Sequence, residues 1–107
     1  VARESLGEFE QFVLLACLQL GEGAYTVPIL EEIESRTQRN VSHAAVYVAL
    51  RRLERKGLVR SRLADPTPER GGRAKRYFRA TPEAVRLLKE SRAALDRMWR
   101  GLESIVE

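Results

Sequence analysis

The stretch SHAAVYVALRRLERKGLVRSRLADPTPERGGRAKRYFRATPE, residues 42–83, changes its periodicity once, and that change decides the fold. Its first third is helical. Ser42 is a capping residue, and from His43 to Lys56 the apolar Val46, Ala49, Leu50 and Leu53 recur at three- and four-residue spacing, which gathers them on one face. Gly57 ends that run. Beyond it Leu58–Ala64 and Ala74–Ala80 are short runs in which apolar and polar residues alternate, as β-strands require. Between them, Asp65-Pro66-Thr67-Pro68-Glu69-Arg70-Gly71-Gly72-Arg73 is rich in turn formers, so the pair reads as a hairpin with a long tip. Thr81-Pro82-Glu83 then supplies a cap, a first-turn proline and an early acid, the opening of another helix.

Upstream, the pattern predicts two more helices. From Gly7 to Leu20, Phe9, Phe12, Val13, Ala16, Cys17 and Leu20 recur at helical spacing, and Leu14, Leu15 and Leu18 widen the stripe almost all the way round. Such a helix has to be covered on every side, in so small a chain by its own helices and by a second subunit. Gly21-Glu22-Gly23 ends it. The second helix runs from about Val27 to Thr37, with Thr26 as its N-cap and Pro28 in its first turn. Downstream, the last helix is expected to run to the end of the chain. The order is helix, helix, helix, hairpin, long helix, a mainly α, α+β architecture of the winged helix-turn-helix type. Residues 1–80 form its principal unit, and residues 81–107 are a C-terminal helix packed on the same domain.

At 107 residues the chain fits one domain, and with 44% hydrophobic and 32% charged residues its composition is that of a soluble globule. The longest apolar run, from Phe12 to Leu18, is too short to span a bilayer, and no leader pattern is seen, so a cytoplasmic setting without membrane contact is expected. The single cysteine, Cys17, sits in that apolar run and reads as a buried thiol. The net charge of +4 hides an asymmetry: residues 1–40 carry −4, residues 41–80 carry +8, and residues 81–107 balance. A basic middle third is the footprint of a surface for a polyanion.

The side chains that would form this surface are legible. On the third helix Ala44, Val48, Arg51, Arg52 and Arg55 point away from the apolar face, with His43 and Tyr47 on the flank and Ser42 at its start. Small residues let a helix sit deep in a major groove, and arginines suit guanine edges or phosphates. An arginine-rich solvated face is common on helices, so the hairpin is what tips the reading. Arg60, Arg62, Arg70, Arg73, Lys75, Arg76 and Arg79 stud it, and Gly72 beside Arg73 allows close approach to a phosphate. The DNA-facing set is therefore Ser42, His43, Ala44, Tyr47, Val48, Arg51, Arg52 and Arg55 on the helix, and Arg70, Gly72, Arg73 and Lys75 on the wing. His43 is the only histidine and has no companions at ligand spacing, so no metal is expected. Nor is a catalytic group or a nucleotide-binding loop visible, which argues against an enzyme and against a cofactor.

In the last helix Leu88, Ser91, Leu95, Met98, Leu102 and Ile105 follow heptad steps, a seam suited to a homodimer. Trp99 flanks that seam, and with its symmetry mate it would form a slot for a small aromatic effector.

These motifs resemble the PadR family of regulators. The resemblance rests on Leu6-Gly7-Glu8-Phe9-Glu10 leading into Val13-Leu14-Leu15, Ala24-Tyr25, Val41-Ser42, Val46-Tyr47, Leu50-Arg51-Arg52-Leu53-Glu54, Gly57-Leu58-Val59, and the run from Glu69 to Arg79 followed by Thr81-Pro82. It covers roughly residues 6–84. It departs from the family's habit at Thr26 and Ala84, where glycine is frequent. The resemblance implies a cytoplasmic, dimeric regulator, usually a repressor, with Tyr47 and the Gly72-Arg73 tip on DNA. It also implies kinship with compact members, some of which take flat aromatic effectors at the dimer interface. The competing readings are a winged helix that offers its basic face to an acidic protein and, more distantly, an RNA-binding module.

Overall fold

The computed structural model describes residues 6–64 and 74–105. Their elements are α1 (Glu8–Leu20), a 3₁₀ turn (Gly21–Gly23), α2 (Thr26–Thr37), α3 (His43–Arg55), β1 (Val59–Leu63), β2 (Arg76–Ala80) and α4 (Pro82–Trp99). The strands pair antiparallel, with Val59 opposite Ala80 and Leu63 opposite Arg76. This is a mostly helical α+β fold with a hairpin wing.

The local signals act as their chemistry requires. Ser42 Oγ accepts the Ala45 N–H at 3.0 Å and starts α3. Lys56 closes that helix, and Gly57 then takes φ +78°, a left-handed conformation that costs glycine little. Thr81 serves two elements at once: its Oγ1 accepts the Ala84 N–H at 3.3 Å to cap α4, and donates to the Gly57 carbonyl at 3.1 Å. At α2 the cap lies one residue earlier than Thr26: Tyr25 holds that place and makes no side-chain capping bond, while Thr26 is already helical.

The core lies where α1, α2, α3 and the hairpin meet. Val13, Leu14, Ile29, Val46, Leu50, Leu53 and Val59 are its largest fully buried side chains, joined by Phe78. The first turns of α4 add Ala84 and Leu88. Cys17 is buried here, and burial pushes its thiol up to about 12. A partly buried ion pair staples α1 to the end of α3, with Glu10 Oε2 3.0 Å from Lys56 Nζ and the same carboxylate accepting the Gly7 N–H at 3.2 Å.

A further expectation changes. The last helix stops at Trp99, because Arg100 leaves helical dihedrals and Gly101 turns to φ +91°. Leu102 and Ile105 therefore follow the helix and do not continue its seam. The chain itself covers the apolar surplus of α1 only in part: Leu15 and Leu18 are each 45% exposed. They line a groove of about 680 Å³ between α1 and α4, together with Leu88, Leu95 and Met98.

Candidate nucleic-acid interface

α3 is anchored through Val46, Ala49, Leu50 and Leu53, all buried, and this rigid footing fixes the opposite face. That face carries Ala44, Val48, Arg51, Arg52 and Arg55, all exposed, with Ser42, His43 and Tyr47 exposed beside them. Tyr47 and Arg51 act together. The Arg51 guanidinium lies 5.9 Å from the centre of the Tyr47 ring and 3.8 Å from the Glu54 carboxylate. Both contacts are long and the side chain is exposed, so the arginine can exchange these partners for a phosphate or a base edge.

Glu54 extends the connection into the wing. Its Oε2 accepts the Ser61 hydroxyl at 2.5 Å, and Arg76 donates to the same Ser61 oxygen at 3.0 Å. The chain Arg51–Glu54–Ser61–Arg76 thus joins the outer edge of α3 to both strands. Arg76, one of the basic residues of the hairpin, is engaged inside this network.

On the far side of the hairpin a second network ties the wing to the start of α2. Lys75 Nζ sits 4.1 Å from the centre of the Tyr25 ring, Tyr25 and Tyr77 meet at 5.5 Å with a 55° tilt, and the Arg62 guanidinium lies 4.9 Å over Tyr77. The Phe78 N–H donates to the Ala24 carbonyl at 2.8 Å, so the residues before α2 lie against β2 like a short third strand. Lys75, expected on DNA, is held at the root of the tip against an aromatic face. Arg70, Gly72 and Arg73 lie outside the described residues.

A third tether involves Arg39, just ahead of α3. It pairs with Glu8 at 2.7 Å and lies 5.3 Å over the Phe12 ring. The Arg39 guanidinium holds the Glu8 carboxyl below its usual range, through a hydrogen bond first and charge second. Sequence reasoning missed Glu54, Tyr25, Tyr77 and Arg39 as organisers of this surface. Only Glu54 had a local signal, its three-residue offset from Arg51 on one helix face. Among the described residues no cluster of three or more His, Cys, Asp or Glu side chains could hold a metal ion, and no helix is long and apolar enough to cross a membrane.

Of the residues expected at a dimer seam, Leu88 is buried in the chain's own core and Ser91 half-buried. Leu95, Met98 and Trp99 are 60%, 76% and 50% exposed along the free half of α4. Leu102 and Ile105 are exposed beyond its end.

Three helices, the third anchored by one face and arginine-rich on the other, followed by a basic antiparallel hairpin, define a winged helix-turn-helix regulator. The transcriptional regulator PadR-like family model matches residues 14–90, and the chain belongs to that family of DNA-binding transcription regulators rather than to an enzyme class. A PadR family transcriptional regulator from Eggerthella lenta is similar at 26% identity and TM-score 0.69, covering 94% of this chain and 87% of its own. A transcriptional regulator from Clostridium thermocellum shares the fold at TM-score 0.71 and 21% identity, with 92% of each chain covered. So does BpsR of Bordetella bronchiseptica, whose DNA binding is regulated by 6-hydroxynicotinic acid, at TM-score 0.66 and 20% identity, covering 95% of this chain and 71% of that one. Comparison with curated proteins gives no match.

Proposed function

We propose that the chain is a cytoplasmic homodimeric repressor that reads a two-fold operator in duplex DNA and is released by a small aromatic effector. The observation that carries the DNA reading is the exposed face of α3, with Arg51, Arg52 and Arg55 beside Ala44 and Val48, set next to a basic wing. In this reading Ala44, Val48 and Tyr47 enter the major groove, and His43 lies beside them. The arginines take base edges and phosphates, Ser42 stands at the backbone, and Arg70, Gly72, Arg73 and Lys75 meet the flanking groove.

The groove between α1 and α4 supports the dimer. Leu15, Leu18, Leu95 and Met98 present one apolar surface, the kind that a second copy covers. In the dimer residues 81–107 serve as the docking segment of a unit whose DNA-reading part is residues 1–80. Trp99, at the end of α4, is half-exposed, and in this reading it would pair with its symmetry mate to receive a flat ligand. Effector control of DNA binding in BpsR supports release by such a ligand.

The test is a titration of duplex fragments from the gene's own upstream region, read by fluorescence anisotropy at several salt concentrations. Saturable binding should weaken linearly on a log–log scale as salt rises. Equal affinity for every sequence would defeat the operator reading. Titrating planar aromatic acids and cations while following Trp99 emission tests the effector. A saturable change with weaker DNA binding is expected, and an emission that none of them alters removes the slot.

A further inference from the structure

The arginines of the wing divide between its two faces. Alternation along β1 and β2 places Val59, Ser61, Phe78 and Arg76 on the side toward α3 and the core, and Arg60, Arg62, Tyr77 and Arg79 on the outer side. Arg76 has its place in the Ser61–Glu54 network. Arg62 and Lys75 are seated on the Tyr77 and Tyr25 rings. Arg60 and Arg79 are different. They are direct cross-strand partners in the register, both exposed, and among the described residues neither has an ion pair or an aromatic partner. Like charges directly opposite each other destabilise a strand pair. The fold therefore sets two guanidinium groups on one face about 5 Å apart at their backbones, at a cost that no ion pair among the described residues offsets.

In front of this pair is a recess of about 220 Å³ between the hairpin and the 3₁₀ turn, lined by Gly21, Glu22, Arg60, Arg62, Tyr77 and Arg79. Glu22 is the one acid among these described residues, so the recess stays net positive. Two planar guanidinium forks on adjacent strands that line one recess suit the oxygens of a phosphate, and an anion between them would turn their repulsion into attraction to a shared partner. Tyr77 lines the recess too, and the Arg62 guanidinium rests over its ring at 4.9 Å.

We propose that Arg60 and Arg79 form a phosphate clamp on the outer face of the wing, separate from the recognition face of α3. Its chemistry is that of a phosphate oxyanion, supplied by operator DNA beyond the segment read by α3 or by a free phosphorylated ligand. Only the DNA source rests on the operator-binding reading above; the clamp itself does not.

The test uses the full chain and its R60Q/R79Q variant, both at exposed positions that tolerate the change. Inorganic pyrophosphate is titrated while the arginine Nε–H resonances are followed by NMR. Separately, affinity is measured for a minimal duplex and for one extended by a helical turn, about 10 base pairs, at each end. The clamp predicts a saturable pyrophosphate shift at Arg60 and Arg79 in the wild type, and pyrophosphate binding by calorimetry that the variant loses. If DNA is the occupant, the wild type gains several-fold affinity on the longer duplex, with a salt slope steeper by about 1 for each further phosphate neutralised, and the variant shows neither. A pyrophosphate shift with the same length gain in both proteins supports the clamp and assigns it to a free phosphorylated ligand. No saturable shift in the wild type, or pyrophosphate binding by calorimetry that is as tight in the variant, overturns the clamp whatever DNA does. A wild type that binds neither duplex overturns the operator reading instead, and leaves the pyrophosphate arm to decide the clamp.

Discussion

α3 and α4 are both amphipathic helices, yet the chain treats their apolar faces differently. α3 buries Val46, Ala49, Leu50 and Leu53 along its whole length and leaves charge outside. α4 buries only Ala84 and Leu88 near its start, and its later apolar residues, Leu95 and Met98, stay open. A helix whose apolar side is satisfied within its own chain can offer its polar side to a polar partner. A helix with apolar surface left over requires an apolar one. The two faces of this molecule therefore predict two kinds of partner from the same physical rule, burial of nonpolar area.

The sharpest way to break this contrast is Leu95→Glu. A carboxylate on the free half of α4 should prevent pairing while leaving the monomer folded, because Leu95 touches little of its own chain. Sedimentation should show monomers, and loss of two-site binding should weaken operator affinity by about 100-fold or more. A dimer that persists with normal binding would move the interface off α4.

Next comes a pair of truncations. Leu53→Ala, in the buried face of α3, should cost about 2–5 kcal/mol of stability in denaturant titration. Met98→Ala, on the exposed face of α4, should cost a monomer less than about 0.5 kcal/mol. Similar losses in the monomeric Leu95→Glu background would mean that the two helices are equally covered and the contrast false.

Arg51→Ala should have a smaller effect, on DNA alone. Affinity should fall by about 1–3 kcal/mol if Arg51 meets a base, and the salt slope should become shallower by about 1 for each phosphate that is no longer neutralised. A change in folding stability with no change in binding would make Arg51 a structural partner of Glu54.

The smallest effect concerns the covered side of α1. The Cys17 pKa is raised by burial to about 12, so the folded state favours the thiol over the thiolate. The sign follows: this contribution to stability is complete below the unfolded thiol value, about 8.5, and is lost as pH rises toward the folded one. Alkylation at neutral pH should proceed only as fast as the chain opens. Rapid modification of the native protein would show that this side of α1 is unsealed.

The sequence makes plain those features that one residue or one period carries. Ser42, Gly57 and Thr81 mark helix ends because each has a single local chemistry, and the change from period 3.6 to period 2 after Gly57 locates the hairpin. The end of α4 is masked in the sequence because Leu102 and Ile105 continue the three–four spacing, although Gly101 is itself a stop signal. The outward face of α3 is legible by the wheel. The Tyr25–Tyr77 pair and the Glu54–Ser61–Arg76 network are not, since they join residues distant in sequence through the folded sheet, and no pattern within one element records them.

The hydroxyl of Thr81 has a further consequence, for variation between relatives. Its bond to the Gly57 carbonyl, with the Thr81 N–H on the Leu58 carbonyl at 3.0 Å, fastens the hairpin at its base and makes everything between a closed loop. Closing such a loop depends on length only logarithmically, so doubling it costs about 0.6 kcal/mol. Residues can be added to or removed from the tip without loosening the helices beneath it. Evolution can thus lengthen, shorten or recharge the wing as operators diverge, while α3 keeps its footing.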